Sequence, residues 1–170
     1  IADDHMLVRQ ALRAFLTQID EIDINVVMEA GGGNELLKNL EDNHSVDVLL
    51  LDAFMPAPSG EELLKILQYR FPHIKVLMIS FCIDPEIISG FLDWGILGYI
   101  SKAADPAELL AAIRSAYQCH LYENQILTKA LYWKTNHLQQ VVPENHDNGF
   151  TDKQKRILEL LWQEKSTQEI

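Results

Sequence analysis

Five side chains that could do chemistry stand directly after apolar runs: Asp3, Asp4, Asp52, Ser80 and Lys102. If the three carboxylates lie close together, their mutual repulsion is costly unless a cation joins them. Carboxylates with neighbouring backbone oxygens suit Mg²⁺, a hard ion that also accepts water and phosphate oxygens. Beside such an ion an aspartate can attack a phosphoryl donor, while the ion and a lysine hold the negative charge that develops.

The elements that must position these side chains are predicted by an alternation of patterns in the first 118 residues. Short apolar runs lie at residues 22–28, 46–51, 74–79 and 97–100, and helical spacing lies at residues 6–16, 35–40, 61–69, 86–92 and 107–117. Strands separated by helix-length segments are typical of βαβ units with a parallel sheet buried on both faces. With Ile1 as the stub of a first strand, the pattern predicts an α/β fold with a doubly wound, five-stranded parallel sheet. Asp84 and Asp105, each followed by proline, are predicted helix N-caps.

The five side chains are expected to meet at one edge of this sheet, because functional groups of open α/β sheets collect at the carboxyl ends of the strands. Asp3 and Asp4 follow the first predicted strand, Asp52 the third, Ser80 the fourth and Lys102 the fifth. Any one of them alone would be interpreted as an ordinary loop or cap residue. Together they predict a site for a divalent cation and a phosphoryl group.

Residues 1–118 resemble the receiver domain of two-component response regulators. The matching segments are IADDH at 1–5, VLLLDAFMP at 48–56, GEEL at 60–63, IS at 79–80 and GYISK at 98–102. The resemblance implies a flavodoxin-like receiver fold in which Asp52 is phosphorylated by a histidine kinase. It also implies that Asp3, Asp4, Asp52 and the backbone carbonyl of Phe54 surround Mg²⁺, directly or through water.

The same resemblance implies a switch. Lys102 would pair with the phosphoryl group, Ser80 would turn to hydrogen-bond it, and Tyr99 would turn inward as the switch aromatic. Phe81 departs from the family pattern, because a small residue is common directly after the serine. We hypothesise that Phe81 narrows the approach to Asp52, which would slow small phosphodonors or make the active form less dependent on phosphate.

Residues 150–170 resemble the first half of a LuxR-type helix-turn-helix, as in NarL/FixJ regulators. FT at 150–151 matches the usual opening, ILELL at 157–161 the first helix and STQEI at 166–170 the start of the second. Gln154 and Glu164 stand where Glu and Gly are usual. The recognition helix that would enter the major groove is not within these residues, so this chain alone is not expected to read DNA. The alternative for the segment is an amphipathic interaction helix.

The predicted organisation is therefore a receiver domain over residues 1–118, a linker over residues 119–147 and an incomplete all-α helix-turn-helix over residues 148–170. Within the linker, residues 123–138 could form a helix, and the remainder has the composition of a loop. The sequence opens inside a predicted strand and stops inside a helical pattern, which suggests a fragment of a longer protein.

Composition excludes several other classes. The formal net charge is −11, and residues 1–118 hold 18 of the acidic residues against 8 basic ones, which argues against a surface that wraps nucleic acid or anionic lipid. No apolar run approaches the roughly 18–20 residues of a membrane span, and no signal peptide is visible. The two cysteines lack CxxC spacing and the histidines are scattered, so neither a zinc site nor a disulfide framework is expected. These features predict a cytoplasmic protein without a membrane partner.

The predicted function is a transcriptional regulator that is switched by phosphorylation and is not an enzyme. Its expected partners are a sensor histidine kinase, promoter DNA through a complete C-terminal domain, and a second copy of itself. A phosphatase that forms an aspartyl phosphate is one rival, but such enzymes place a second acid two residues after the nucleophile, where this chain has Phe54. The other rival is a phosphorylation-independent, receiver-like module for dimerisation or interaction. Phe81 favours that module, and the five chemical side chains argue against it.

Overall fold

The computed structural model of the chain describes residues 1–19, 24–42, 45–56 and 58–138. Within them lie three strands, β1 (Val48–Asp52), β2 (Lys75–Ser80) and β3 (Gly98–Ser101). Six helices surround these strands: α1 (Met6–Thr17), α2 (Gly33–Asp42), α3 (Gly60–Arg70), α4 (Pro85–Leu92), α5 (Pro106–Tyr117) and α6 (Gln125–Leu138). Residues Ile1–His137 form one compact unit and Leu138–Ile170 a second. The predicted helix-turn-helix lies outside the described residues.

The strands form a parallel sheet in the order β1-β2-β3. Ala2 adds a parallel bridge to Leu51 on one side and to Ala30 on the other. The predicted α/β architecture is therefore confirmed, with five chain segments side by side, but only three of them are regular strands. The strand predicted at residues 22–28 is not formed as a regular strand in its described part, residues 24–28. The Met28 carbonyl accepts from the nitrogen of Ile1 at 3.0 Å, and the bridge to Ala2 lies two residues later, at Ala30.

Helices cover both faces of the sheet. One core cluster joins α1 and α5 to the side chains of Leu50, Ile79 and Ile100. Successive strand residues point to opposite faces, so Tyr99 points away from that cluster, and its ring lies 6.4 Å from the ring of Phe91 in α4. The sheet is thus buried on both sides, as its continuous apolar strands require.

The predicted helix starts are confirmed. Asp84 accepts a hydrogen bond from the Glu86 amide and Asp105 accepts one from the Ala107 amide, with proline in the first turn of each helix. Helix α3 begins with a capping box, in which Ser59 Oγ accepts from the Glu62 amide and the Glu62 carboxylate accepts from the Ser59 amide. The segment predicted to be helical at residues 123–138 is α6. None of the described helices is both long and apolar enough to cross a membrane.

The end of α5 turns the chain back toward the sheet. The amide of His120 donates to the carbonyl of Ser115 and the amide of Cys119 donates to the carbonyl of Ala116. Cys119 has a φ of 61°. This is a Schellman motif with cysteine at the left-handed position that usually holds glycine. It directs the following residues along β3 and into α6.

Candidate functional site

The carboxyl ends of the parallel strands bring the predicted side chains to one edge of the sheet. Asp52 is the last residue of β1, Ser80 is the last residue of β2, and Lys102 directly follows β3. The amide of Lys102 donates to the carbonyl of Ser80 at 2.8 Å, which extends the β2–β3 pairing to the site. Asp3 joins them because Ala2 pairs with β1, and the amide of Asp52 donates to the carbonyl of Ala2 at 2.8 Å.

Lys102 lies between two buried carboxylates. Its Nζ is 2.7 Å from Asp3 Oδ2 and donates to Asp52 Oδ2 at 2.8 Å. The three side chains are 5%, 0% and 4% exposed. Burial by itself lowers the pKa of Lys102, but the contacts with Asp3 and Asp52 outweigh it and raise that pKa above its usual value. The ammonium is therefore charged and neutralises one of the two carboxylates.

Asp3 is held rigidly, and each of its two carboxylate oxygens has a partner. Its Oδ1 accepts from the amide of His5 at 2.9 Å, and its backbone carbonyl accepts from Arg9 Nη1 at 2.6 Å. Its Oδ2 is fully buried and faces Lys102 Nζ at 2.7 Å as an ion pair. The ammonium compensates the negative charge that would otherwise make this buried oxygen costly.

Asp4 and His5 complete the cluster toward solvent. His5 Nδ1 lies 2.7 Å from Asp4 Oδ1 and 3.3 Å from Asp3 Oδ1. Asp3, Asp4, His5 and Asp52 offer ligand atoms that all lie within 4.8 Å of one another. The side chain of His5 is 63% exposed, as is expected of a histidine at the start of a helix, and it reaches the cluster because it directly follows the two acids.

The loop after β1 orients the Asp52 carboxylate. The amide of Phe54 donates to Asp52 Oδ1 at 3.2 Å, while the Phe54 side chain is 52% exposed. The role predicted for the Phe54 carbonyl as a metal ligand stays a prediction. Gly60 at the start of α3 lies against this loop, because a Cβ there would be 2.5 Å from the carbonyl oxygen of Ala53.

We expect Gly60→Ala to lower the free energy of unfolding by about 1–3 kcal/mol, because the added methyl group would push the loop that holds Asp52. The free energy of unfolding in urea measures this effect. Gly90→Ala is the matched control, since Gly90 lies within α4 and a Cβ there meets nothing within 4 Å. That substitution should stabilise the helix by up to about 1 kcal/mol. Equal effects of the two substitutions would contradict the close approach at Gly60.

Ser80 and Tyr99 share the backbone of Cys82. Ser80 Oγ accepts from the Cys82 amide at 3.1 Å, and the Tyr99 hydroxyl donates to the Cys82 carbonyl at 2.8 Å. Tyr99 is fully buried, and burial raises the pKa of its hydroxyl to about 12. The side chain predicted to turn inward is therefore already inside the fold. Its role as a switch stays a prediction.

Phe81 lies beside the site on the solvent side. Its side chain is 67% exposed, and the centre of its ring is 5.6 Å from Lys102 Nζ. This geometry is a cation–π contact with the lysine that bridges Asp3 and Asp52. The aromatic ring thus borders the ammonium on the solvent side of the site.

The arrangement can hold a divalent cation and accept an electrophilic group at Asp52. Two buried carboxylates share one ammonium, a third carboxylate lies at the surface, and a hydroxyl stands at the end of the neighbouring strand.

Residues 1–114 match the family model described as the response regulator receiver domain.

Known proteins of similar sequence and structure agree with that match. Response regulator UvrY of Escherichia coli (strain K12) is 30% identical over 161 residues, which cover 95% of this chain and 70% of UvrY. A structure of the RcsB response regulator of Salmonella typhimurium has a TM-score of 0.69 and 28% identity over 77% of this chain and 63% of that chain. RcsB from Salmonella enterica serovar Typhimurium bound to promoter rprA, in the presence of phosphomimetic BeF3⁻, has a TM-score of 0.62 and 32% identity. That alignment covers 69% of this chain and 94% of the RcsB chain.

Proposed function

The chain belongs to the response regulator receiver family, and from that premise we propose that it is a phosphorylation-switched regulator of transcription. Asp52 is the residue that accepts the phosphoryl group. The observation that supports this role best is the buried contact of Lys102 Nζ with both Asp52 Oδ2 and Asp3 Oδ2. Because one ammonium faces two carboxylates, the site keeps a net negative charge, which favours binding of a further cation. The contact with Lys102 also fixes the position of the Asp52 carboxylate, which is the nucleophile.

The donor set fits Mg²⁺ as the resident ion. All carboxylates of the cluster are hard oxygen ligands of the kind that Mg²⁺ prefers, and the ligand atoms of Asp3, Asp4 and Asp52 lie within 4.8 Å of one another. Asp3, Asp4, Asp52 and the backbone carbonyl of Phe54 would hold it. When bound, Mg²⁺ supplies positive charge that reduces carboxylate repulsion and stabilises the charge on a transferred phosphoryl group.

Phosphorylation would proceed by attack of an Asp52 carboxylate oxygen on phosphorus. The new oxygen–phosphorus bond forms as the bond from phosphorus to the histidine nitrogen of the kinase breaks, and the histidine keeps that electron pair. Lys102 would remain beside the phosphoryl oxygens because its Nζ already contacts Asp52. Nothing in this sequence of steps turns over a substrate, so we place the chain among regulators and not among enzymes.

The new group would act on Ser80. A phosphoryl group adds about −1.5 to −2 charges and strong acceptors, and the Ser80 hydroxyl would turn from the Cys82 amide to donate to it. To reverse the populations of two conformations almost completely, one conformation must be stabilised over the other by about 5.5 kcal/mol. One hydrogen bond to a charged group contributes only about 1.5–3 kcal/mol. Lys102, Ser80 and the resident cation must therefore act together.

The partners follow from the family. We propose a sensor histidine kinase as the phosphodonor, promoter DNA as the target of a complete C-terminal domain, and a second copy of the chain as the dimer partner. RcsB bound to promoter rprA and two RcsB dimers bound to two parallel DNAs support the last two assignments. The 18 acidic residues against 8 basic ones in residues 1–118 make the receiver surface itself a poor DNA ligand. A cytoplasmic location without a membrane partner remains part of this proposal.

A phosphorylation-independent interaction module is the second candidate. The observation that favours it is Phe81, whose ring lies beside the site with its centre 5.6 Å from Lys102 Nζ. Titration with Mg²⁺ and then beryllofluoride, followed by tryptophan fluorescence, separates the two functions. The switch predicts a saturable change that Asp52→Asn removes. If neither the unsubstituted chain nor Asp52→Asn changes its fluorescence, the phosphorylation switch would be refuted and the interaction module favoured.

We expect Phe81→Ala to raise the rate of phosphorylation by a small donor such as acetyl phosphate about 2- to 5-fold. The ring contacts Lys102 Nζ, and an exposed cation–π contact of about 0.5–1 kcal/mol must be disturbed when the donor reaches the ammonium. Intact-mass spectrometry over time measures the rate. Ile83→Ala, which removes another exposed apolar side chain of the same loop, should leave the rate unchanged. An unchanged rate for Phe81→Ala would refute the hypothesis that this ring narrows the approach.

A further inference from the structure

His5 turns its ring toward the carboxylate cluster and not toward the helix that it precedes. It stands at the N-cap position of α1, where a side chain usually accepts a hydrogen bond from an amide of the first helical turn. The His5 side chain makes no such bond. Its Nδ1 instead lies 2.7 Å from Asp4 Oδ1 and 3.3 Å from Asp3 Oδ1. The ring nitrogen therefore contacts two carboxylates instead of capping the helix.

The backbone around His5 fixes the place from which this side chain starts. The amide of His5 donates to Asp3 Oδ1 at 2.9 Å, and the carbonyl of His5 accepts from the amide of Arg9 at 3.1 Å. Arg9 Nη1 donates in turn to the carbonyl of Asp3 at 2.6 Å. His5 is thus hydrogen-bonded on both sides of its Cα atom, which keeps its ring beside the acids.

Lys102 and His5 contact different oxygens of the Asp3 carboxylate. Lys102 Nζ contacts the Oδ2 atoms of Asp3 and Asp52, at 2.7 and 2.8 Å. The His5 ring lies beside Oδ1 of Asp3. A cation bound on the His5 side of the cluster can therefore share the carboxylates with the ammonium and does not have to displace the buried lysine.

The cluster offers one nitrogen and three oxygens as ligand atoms. One such atom from each of its residues lies within 4.8 Å of all the others, and the residues are Asp3, Asp4, His5 and Asp52. Ligand atoms lie about 2.0–2.6 Å from the ion that they bind, so two of them on opposite sides are about 4–5 Å apart. The four atoms are therefore close enough to surround a single ion.

An imidazole ligand changes which ion such a site prefers. Carboxylates, carbonyls and water suit Mg²⁺, whereas imidazole suits divalent ions such as Fe²⁺ and Ni²⁺. Mg²⁺ retains several of its waters and binds through one or two carboxylates, so an added nitrogen contributes little to its binding. Affinity for nitrogen and oxygen ligands rises from Mn²⁺ through Fe²⁺ and Co²⁺ to Ni²⁺. A nitrogen in this cluster should therefore strengthen the binding of transition-metal ions selectively.

We propose that His5 is a further ligand of the cation site and gives this site a preference for divalent transition-metal ions over Mg²⁺. The inference rests on the proposed function, because it concerns the same cation site. Mg²⁺ would bind to the oxygens of the cluster alone. A transition-metal ion would bind to these oxygens and to His5 Nδ1, in place of a proton between Nδ1 and Asp4 Oδ1.

The test measures the affinities for Mg²⁺ and Ni²⁺ by calorimetric titration of the untagged 170-residue chain and of His5→Asn at one pH. Asparagine is favourable at a helix N-cap, and the His5 side chain is 63% exposed, so the variant should fold. We expect its Ni²⁺ affinity to be at least about 10-fold lower, the smallest loss typical when even a partner of a metal ligand is removed. Its Mg²⁺ affinity should change by less than about 2-fold. The visible absorption of bound Ni²⁺ should also differ between the two proteins, because it depends on the ligand atoms.

His73→Asn is the matched control. His73 is an exposed histidine outside the cluster, so this variant should bind both ions as the unsubstituted chain does. Asp4→Asn removes an oxygen ligand that both ions use and should weaken the binding of both. The comparison thus separates a nitrogen ligand from an oxygen ligand of the same site.

Three outcomes would overturn the inference. The first is an equal change of the two affinities in His5→Asn, which is expected if His5 only forms an ion pair with Asp4. The second is an equal loss of Ni²⁺ affinity in His5→Asn and His73→Asn, which would show that Ni²⁺ binds to surface histidines. In both cases the proposed function stands if the unsubstituted chain binds Mg²⁺. The third is no binding of either ion to the unsubstituted chain, which overturns the proposed cation site and the inference together.

Discussion

Asp52→Asn is expected to lower the incorporation of a phosphoryl group from acetyl phosphate to below about one-thousandth of the unsubstituted rate, because an amide is no substitute for a carboxylate nucleophile. The change is nearly isosteric, so the amide can keep the place of the carboxylate beside Lys102 and Phe54. Intact-mass spectrometry after incubation with acetyl phosphate and Mg²⁺ measures the incorporation.

The stability of Asp52→Asn separates loss of chemistry from loss of fold. In the unsubstituted chain Lys102 forms ion pairs with two buried carboxylates. Replacing one carboxylate by an amide therefore removes a negative charge that the ammonium does not neutralise. We therefore expect the free energy of unfolding at neutral pH to be unchanged or slightly higher. Asp47→Asn, at a side chain that is 67% exposed and 4.0 Å from Lys75 Nζ, is the control and should be phosphorylated normally. Normal phosphorylation of Asp52→Asn would refute the assignment of the phosphoacceptor.

The second large effect is expected for Lys102→Met, which should lower the free energy of unfolding by about 3–5 kcal/mol at neutral pH without divalent metal. The substitution leaves Asp3 and Asp52 buried without the ammonium that now lies within 2.8 Å of both. Urea unfolding measures the loss. Lys65→Met removes an exposed partner of Glu61 and should cost at most about 1 kcal/mol. Equal losses for the two lysines would contradict the buried bridge.

The contribution of Lys102 to the free energy of unfolding should decrease at high pH. The pKa of Lys102 is raised in the folded state by its two carboxylate partners. Its contribution to stability is therefore fully present below the usual lysine pKa of about 10.5 and is lost as the pH rises through the higher folded value. Lys102→Met lacks this contribution at every pH, so the stability difference between the two proteins should shrink as the pH rises through the folded-state pKa of the lysine. A difference that stays constant at high pH would contradict this account.

Lys102→Met also tests the metal site. If Asp3, Asp4 and Asp52 hold Mg²⁺, millimolar Mg²⁺ should restore part of the lost stability, because a bound cation replaces the missing charge. Lys65→Met should gain no more from Mg²⁺ than the unsubstituted chain does. Absence of any recovery would contradict the assignment of these carboxylates as a Mg²⁺ site and would leave the role of the lysine untouched.

The sequence by itself determined the family, the parallel α/β architecture and the helix starts at Asp84 and Asp105. These features can be predicted locally, because apolar runs, helical spacing and cap residues are patterns among residues that are close together in the sequence. The convergence of Asp3, Asp52, Ser80 and Lys102 at one edge also follows from local pattern, because the carboxyl ends of parallel strands lie together.

The tertiary structure decided what depends on packing across the chain. It placed the pairing expected of the second predicted strand in a single bridge between Ala30 and Ala2, among the residues that the structure describes. It placed the ring of Phe81 beside Lys102 and the side chain of Tyr99 inside the fold. It also docked α6 through Lys134, 41 residues from its partner Asp93. Periodicity cannot predict such contacts, since two side chains far apart in sequence meet only when whole elements have packed.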